Sequence, residues 1–235
     1  MPAELGATPF AGPNPGSRPS GREHAAPNPF RHWLFALNAA LVVFLSGAFA
    51  APVLAVAGLP SLADALYVAY HFTCHQWAFR SFFLFAPGPS PLAVYDQQQL
   101  SSAALDPFTF VGAPDLGWKM AFCERDLAIY AGLLAVGLLY ARRREMRPVG
   151  FGLYVLLILP MALDGFTQLF GWRESTWQLR TATGLLFGLA SAWLVLPRLD
   201  ASFGVRPARE RYAPGAPCDP HPAAAEPWTK LSRRG

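Results

Sequence analysis

Apolar residues in this chain come in long unbroken blocks, and the charged residues lie between them. Four blocks have the length and continuity of membrane spans: residues 33–57, 123–141, 149–163 and 181–197. A hydrocarbon core is crossed by about 20 helical residues, with about 17 to 25 tolerated. The second and third blocks reach that length only with their flanks. A further segment, residues 61–85, is long enough to cross but carries Asp64, His71, His75 and Arg80 and follows the first block almost without a loop. That pattern favours a re-entrant or interfacial helix over a fifth transmembrane helix. The expected fold is all-α: a polytopic membrane helix bundle of four transmembrane helices plus this extra helix.

Composition agrees. Of 235 residues, 53% are hydrophobic and 14% charged, against about 25% charged in a soluble domain. Residues 1–30 and 200–235 are rich in Pro, Gly and Ala and read as disordered segments flanking an integral membrane domain at 31–199. The net charge of +4 comes from arginines beside the spans, with no basic patch interleaved with reading elements. The bilayer is therefore the expected partner and nucleic acid is not. ARRREMR, between the second and third spans, places four arginines in a short loop. The positive-inside rule puts residues 142–147 in the cytoplasm of a multi-pass cell-membrane protein. Both termini follow to that side if four helices span; a fifth span would move the N-terminus outside. Transport through so few helices would call for a homo-oligomer.

This topology collects the unusual polar residues at one end. HFTCHQWAFR places His71, Cys74 and His75 at the spacing of one helical face. GWKMAFCERDLAIYAG, residues 117–132, reads as one helix with Lys119, Cys123, Asp126 and Tyr130 on one side. Residues 86–114 read as an external loop. Asp164 and Gln168 end the third span, and Ser175 with Gln178 has the spacing of a capping box before Arg180. Gly184 and Gly188 form GxxxG, a signal for close helix packing. Cysteines, histidines, acids and the arginines Arg80, Arg125, Arg173 and Arg180 thus converge on the outer interface. Intramembrane charges need partners, and Asp164 with Arg180 is the expected pair.

The order of motifs resembles one family. Cys74-His75-Gln76, Arg80 to Phe83, Cys123, Arg125-Asp126, Ile129-Tyr130, Gly132, Pro160, Asp164-Gly165, Gln168, Gly171, Arg173, Ser175, Leu179-Arg180, Thr183-Gly184 and Gly188 together resemble the DUF2085 family of bacterial and archaeal membrane proteins. The likeness runs from about residue 65 to residue 197. It implies a second cysteine where this chain has Asp126, completing a C-x-x-C opposite Cys74-His75. It names no reaction.

Three readings stay open. Cys74, His75, Cys123 and Asp126, with His71 as an alternate, have the chemistry of a metal site; zinc takes thiolate, imidazole and carboxylate together, and copper or iron would suit a redox role. Neighbouring Cys74 and His75 diverge by about 100° on a regular helix, so one ion cannot take both unless the helix breaks. A Cys74–Cys123 disulfide is the structural rival, permitted outside the cytoplasm. A membrane enzyme or transporter could instead hold a phosphate-bearing lipid between Arg80, Arg125, Arg173 and Arg180, with Asp126 or Asp164 as base or ligand.

Overall fold

The computed structural model describes residues 32–203. Residues 1–31 and 204–235, with most of both terminal segments, lie outside the described residues. The long helices are α1 (Trp33–Val56), α4 (Glu124–Arg142), α5 (Phe151–Leu169) and α6 (Trp177–Ser202). Three of them, α1, α5 and α6, are long and apolar enough to cross a membrane. This corrects the expectation of four or five such helices. The physical reason is visible in α4, which has 19 residues but carries Glu124, Arg125, Asp126 and Arg142.

The extra segment does not span. After Pro60 starts it, α2 (Pro60–Tyr70) ends after 11 residues, about 16 Å of helix, half of a hydrocarbon core. It turns back along α1, where the Tyr70 hydroxyl donates to the Phe44 carbonyl at 2.5 Å. Gly47 makes room for that ring. Phe44, Tyr70, Phe122 and Tyr130 stack around this point.

Nor is the chain all-α. A 3-10 turn (Ala78–Arg80) leads into β1 (Ser81–Leu84), followed by β2 (Leu92–Ala93), α3 (Gln97–Ser102), β3 (Gly112–Ala113) and β4 (Gly117–Cys123). The four strands form an antiparallel sheet in the order β2-β1-β4-β3. The expected external loop is therefore folded; Asp96 and Gln99 even make a full capping box at α3. The helix expected over 117–132 is a strand up to Cys123 and a helix after it. Gly117 makes the turn into β4 with φ +81, and a Cβ there would meet the Leu84 carbonyl at 2.5 Å. The strand is buried on both faces from Lys119 to Phe122, wedged between the sheet's aromatic residues and α1.

The helices are tied most closely along the α4–α6 seam. Gly188 lies against the Ile129 carbonyl, Gly184 against the Arg125 carbonyl at 2.7 Å, and Gly132 against Leu185 at 2.9 Å, all measured from where a Cβ would stand. The GxxxG pair thus acts as a packing surface, with a third glycine answering it from α4. At the start of α1, Leu34 joins Val136, Tyr140, Ala192 and Leu196 in a second core. Most of α5 faces outward through Phe151, Leu156, Leu163 and Phe166, as a lipid-facing helix does.

Candidate metal centre

Cys74 lies beyond α2, in the turn that runs toward the sheet. The helical face expected for Tyr67, His71, Cys74 and His75 stops at Tyr70, so the spacing rule no longer applies there. Gln76 takes a left-handed conformation, φ 54. This is uncommon for a side chain of its size. The turn sends the Gln76 amide back to Cys74 Sγ at 3.4 Å. A second amide, that of Cys123, donates to the same sulfur at 3.2 Å. Gln76 is itself held fast: its side-chain amide donates to the Tyr67 carbonyl at 2.8 Å, and its carbonyl accepts from Lys119 Nζ at 2.8 Å.

Cys123 arrives from the other side. It ends β4 and caps α4, its sulfur accepting from the Asp126 amide at 3.4 Å. The pairing of β4 with β1 is irregular between Ser81 and Phe83, just before Cys123; such bulges re-aim a side chain. Asp126 stands in the first turn of α4. The sulfurs of Cys74 and Cys123 and a carboxylate oxygen of Asp126 all lie within 4.8 Å of one another. Both cysteines are free thiols. Hydrogen bonding to the Cys74 sulfur, then burial, push the Cys123 thiol above its ordinary range. A cation placed between the sulfurs would reverse that balance.

The arrangement departs from the sequence reading in two ways. The cluster is enclosed by α1, α2, β4 and α4, with Cys74 5% exposed, and does not sit open at an outer membrane face. His71 and His75 are exposed and are not among the converging ligand atoms. The broken helix resolves the adjacent-residue problem by turning His75 away from the sulfur of Cys74. His75 lies instead near the Trp77 ring, at 5.7 Å.

A second polar cluster borders this one. Asp164, 2% exposed, accepts from Arg125 and from Arg173 at 2.7 Å, with Gln168 donating at 3.0 Å. The expected Asp164–Arg180 pair does not form. Arg180 reaches Glu124 at 3.2 Å and Glu174 at 3.4 Å, and Glu174 also takes Arg80 at 3.3 Å. Arg180 starts inside α6 and points at the first residue of α4, whereas Asp164 is on α5 near the loop that carries Arg173. The helix is capped by Thr176, whose hydroxyl accepts from the Leu179 amide at 3.4 Å, and not by Ser175. Glu124 and Glu174 were missed from sequence; an acid beside an arginine-aspartate motif was the available signal. Each of the four arginines proposed for a phosphate headgroup is engaged by a carboxylate of the protein itself.

Lys119 is a further buried group, 4% exposed. It donates to Gln76, lies 5.9 Å from the Tyr67 ring centre, and burial lowers its pKa to about 8 against the pull of Cys74 and Asp106. The Tyr67 hydroxyl, raised by burial and then by Asp64, donates to the Lys119 carbonyl at 2.6 Å.

Long apolar helices around a buried thiol–carboxylate cluster define a largely helical, multi-pass membrane protein with a centre able to coordinate a metal ion. The chain belongs to the DUF2085 family, described as "Predicted membrane protein (DUF2085)", whose pattern matches residues 116–194. It is 30% identical over 175 residues to an uncharacterized protein of Methanocaldococcus jannaschii, covering 71% of this chain and 92% of that one. It is 42% identical over 83 residues to an uncharacterized protein of Methanothermobacter thermautotrophicus, covering 33% of this chain and 71% of that one. No solved structure matches it.

Proposed function

We propose that this is a metal-binding membrane protein in which Cys74, Cys123 and Asp126 hold one soft divalent cation, zinc first among them. The observation carrying this reading is the convergence of three ligand atoms within 4.8 Å, from segments 49 residues apart, with amides already directed at both sulfurs. Such N–H groups favour thiolate charge; at Cys123 the neighbouring sulfur and burial outweigh the Asp126 amide, a balance a bound cation would reverse. Two thiolates and a carboxylate suit zinc better than a hard cation, and three protein ligands leave a fourth position for water or substrate. Copper or iron fits the same atoms with a redox role. In this reading α4 also crosses the bilayer, its charges gathered at its two ends. The Arg142–Arg147 loop is cytoplasmic, and the metal centre is enclosed at the opposite end of the bundle.

Cobalt titration of reduced protein in nanodiscs is the test. Intense thiolate-to-cobalt absorption is expected at one equivalent, absent in Cys74→Ser and weakened in Asp126→Asn, with zinc displacing it. A flat spectrum with both thiols accessible to reagent contradicts the proposal. The second reading, a reversible Cys74–Cys123 disulfide, is favoured by the same proximity and the free state of both thiols. It is distinguished by loss of both thiols on mild oxidation without any need for Asp126.

A further inference from the structure

Beside the sulfur cluster lies a cavity of about 380 Å³ lined by Tyr67, Val68, Phe72, Phe108, Val111 and Lys119, together with the polar His71, His75, Gln76 and Thr109. That volume lies within the range of small-molecule sites. Its walls are apolar and largely aromatic, and a single ammonium is set among them. Lys119 is 4% exposed, and among the described residues no carboxylate comes within ion-pair distance of it. Among the described residues, ion pairs otherwise match every deeply buried charge to an opposite one: Arg180 to Glu124, Asp164 to Arg125, Asp200 to Arg144. A buried charge without a counter-charge is costly. Lys119 carries three N–H donors and directs one to the Gln76 carbonyl.

We infer that this cavity binds an organic carboxylate with an apolar, ring-bearing body, its carboxylate on Lys119 and its ring between Tyr67, Phe72 and Phe108. Tyr67 and Phe108 offer ring faces and edges, Val68 and Val111 set the depth, and the ligand supplies a carboxylate at ion-pair distance, where the protein places none of its own among the described residues. The rim is open: Phe72 is 92% exposed, so a molecule partitioned into the membrane interface can enter from the side. Lys119 and the sulfur centre share one residue, since Gln76 receives Lys119 on its carbonyl and gives its amide to Cys74. The pocket does not need the metal, however, and its test is independent of metal content.

The test is equilibrium binding of 2-naphthoate to the full chain in phosphatidylcholine nanodiscs, with empty nanodiscs as the reference. Neutral 2-naphthalenemethanol and straight-chain decanoate are run alongside. Saturable naphthoate binding is expected, with decanoate weaker. Lys119→Gln should lower naphthoate affinity about tenfold or more, the scale of one charged hydrogen bond, while naphthalenemethanol binding is unchanged. Val68→Trp, at an exposed wall position, keeps the lysine and fills the cavity; it should abolish binding of both ring compounds. Naphthoate uptake no greater than in empty nanodiscs overturns the inference. So does naphthoate affinity that Lys119→Gln leaves unchanged, or that survives Val68→Trp. If Lys119→Gln fails to fold, competition of naphthoate by naphthalenemethanol in the wild type and its loss in Val68→Trp decide the case.

Discussion

The two ends of the helix bundle solve the problem of buried charge in opposite ways. At the end where α1 begins and α4 and α6 finish, Asp200 is 0% exposed. It accepts from Trp33 Nε1 at 3.0 Å, Tyr140 Oη at 3.1 Å and Arg144 at 3.5 Å. Two neutral donors and one cation close around one acid, and three helices or their loops are tied together. At the sheet-bearing end the polar groups outnumber their partners. Arg80 Nε, Arg125 Nε, Arg180 Nε, Glu124 Oε1, Gln168 Oε1 and Thr181 Oγ1 are buried there without a hydrogen bond, against Asn38 Oδ1 alone, beside Gly137, toward the Asp200 end among the described residues. Two thiols lie side by side there without a disulfide, and among the described residues no carboxylate comes within ion-pair distance of Lys119. Native proteins satisfy nearly all buried polar groups, so a concentration of exceptions marks a place built for something besides stability. One end is a clasp and the other is a site.

Removing a charge partner should therefore hurt most at the sheet end. Arg180→Met leaves Glu124, 0% exposed, without its arginine. It is expected to cost about 3–5 kcal/mol in reversible unfolding in mixed micelles. A loss below about 1 kcal/mol would mean the pair is solvated and the contrast between the ends is false.

Lys119 provides a pH signature at the sheet end. Its pKa falls from 10.5 to about 8 in the fold. Between these values the unfolded chain holds more protons, so stability rises with pH across that window. A shift of this size corresponds to about 3 kcal/mol in total. Unfolding of ligand-free protein at pH 7.5 and pH 10.5 measures it, and Lys119→Met should flatten the rise. Equal slopes in both proteins would remove Lys119 as its source.

Asp200→Ala is expected to cost less, about 1–3 kcal/mol, because Trp33 and Tyr140 are neutral and Arg144 can turn to solvent. If it exceeds Arg180→Met in the same assay, the clasp and the site have been assigned the wrong way round. The smallest effect is a coupling energy. Asp164→Ala combined with Arg173→Ala should depart from additivity by about 0.5–2 kcal/mol, while Asp164→Ala with Arg180→Ala should be additive within about 0.5 kcal/mol.

Sequence patterning made the long helices legible because each is a continuous apolar block, and the glycines at 184 and 188 announced their close contact. It failed at the sheet for a physical reason. β4 is buried on both faces, so Trp118 to Phe122 shows no alternation. Lys119, Cys123 and Asp126 happen to fall at helical spacing across a strand-to-helix junction. The polar cluster was legible as a set and illegible as pairs. Whether Asp164 meets Arg173 or Arg180 depends on the rotation of α5 and α6 about their axes, which apolar blocks do not fix. The convergence of Cys74 with Cys123 was readable from the arginine-set topology, which puts both at one end of the spans, and Asp126 joined them through the family resemblance. The loss of His71 and His75 from it was not, since it follows from α2 ending at Tyr70.

The most direct test of the central claim is the metal content per chain of protein purified without chelator, compared among wild type, Cys123→Ser and Asp200→Asn. About one ion per chain is expected in the wild type, the same in Asp200→Asn at the clasp, and little in Cys123→Ser at the site. A wild-type protein free of metal, with Cys74 and Cys123 both reactive as ordinary thiols, would contradict it.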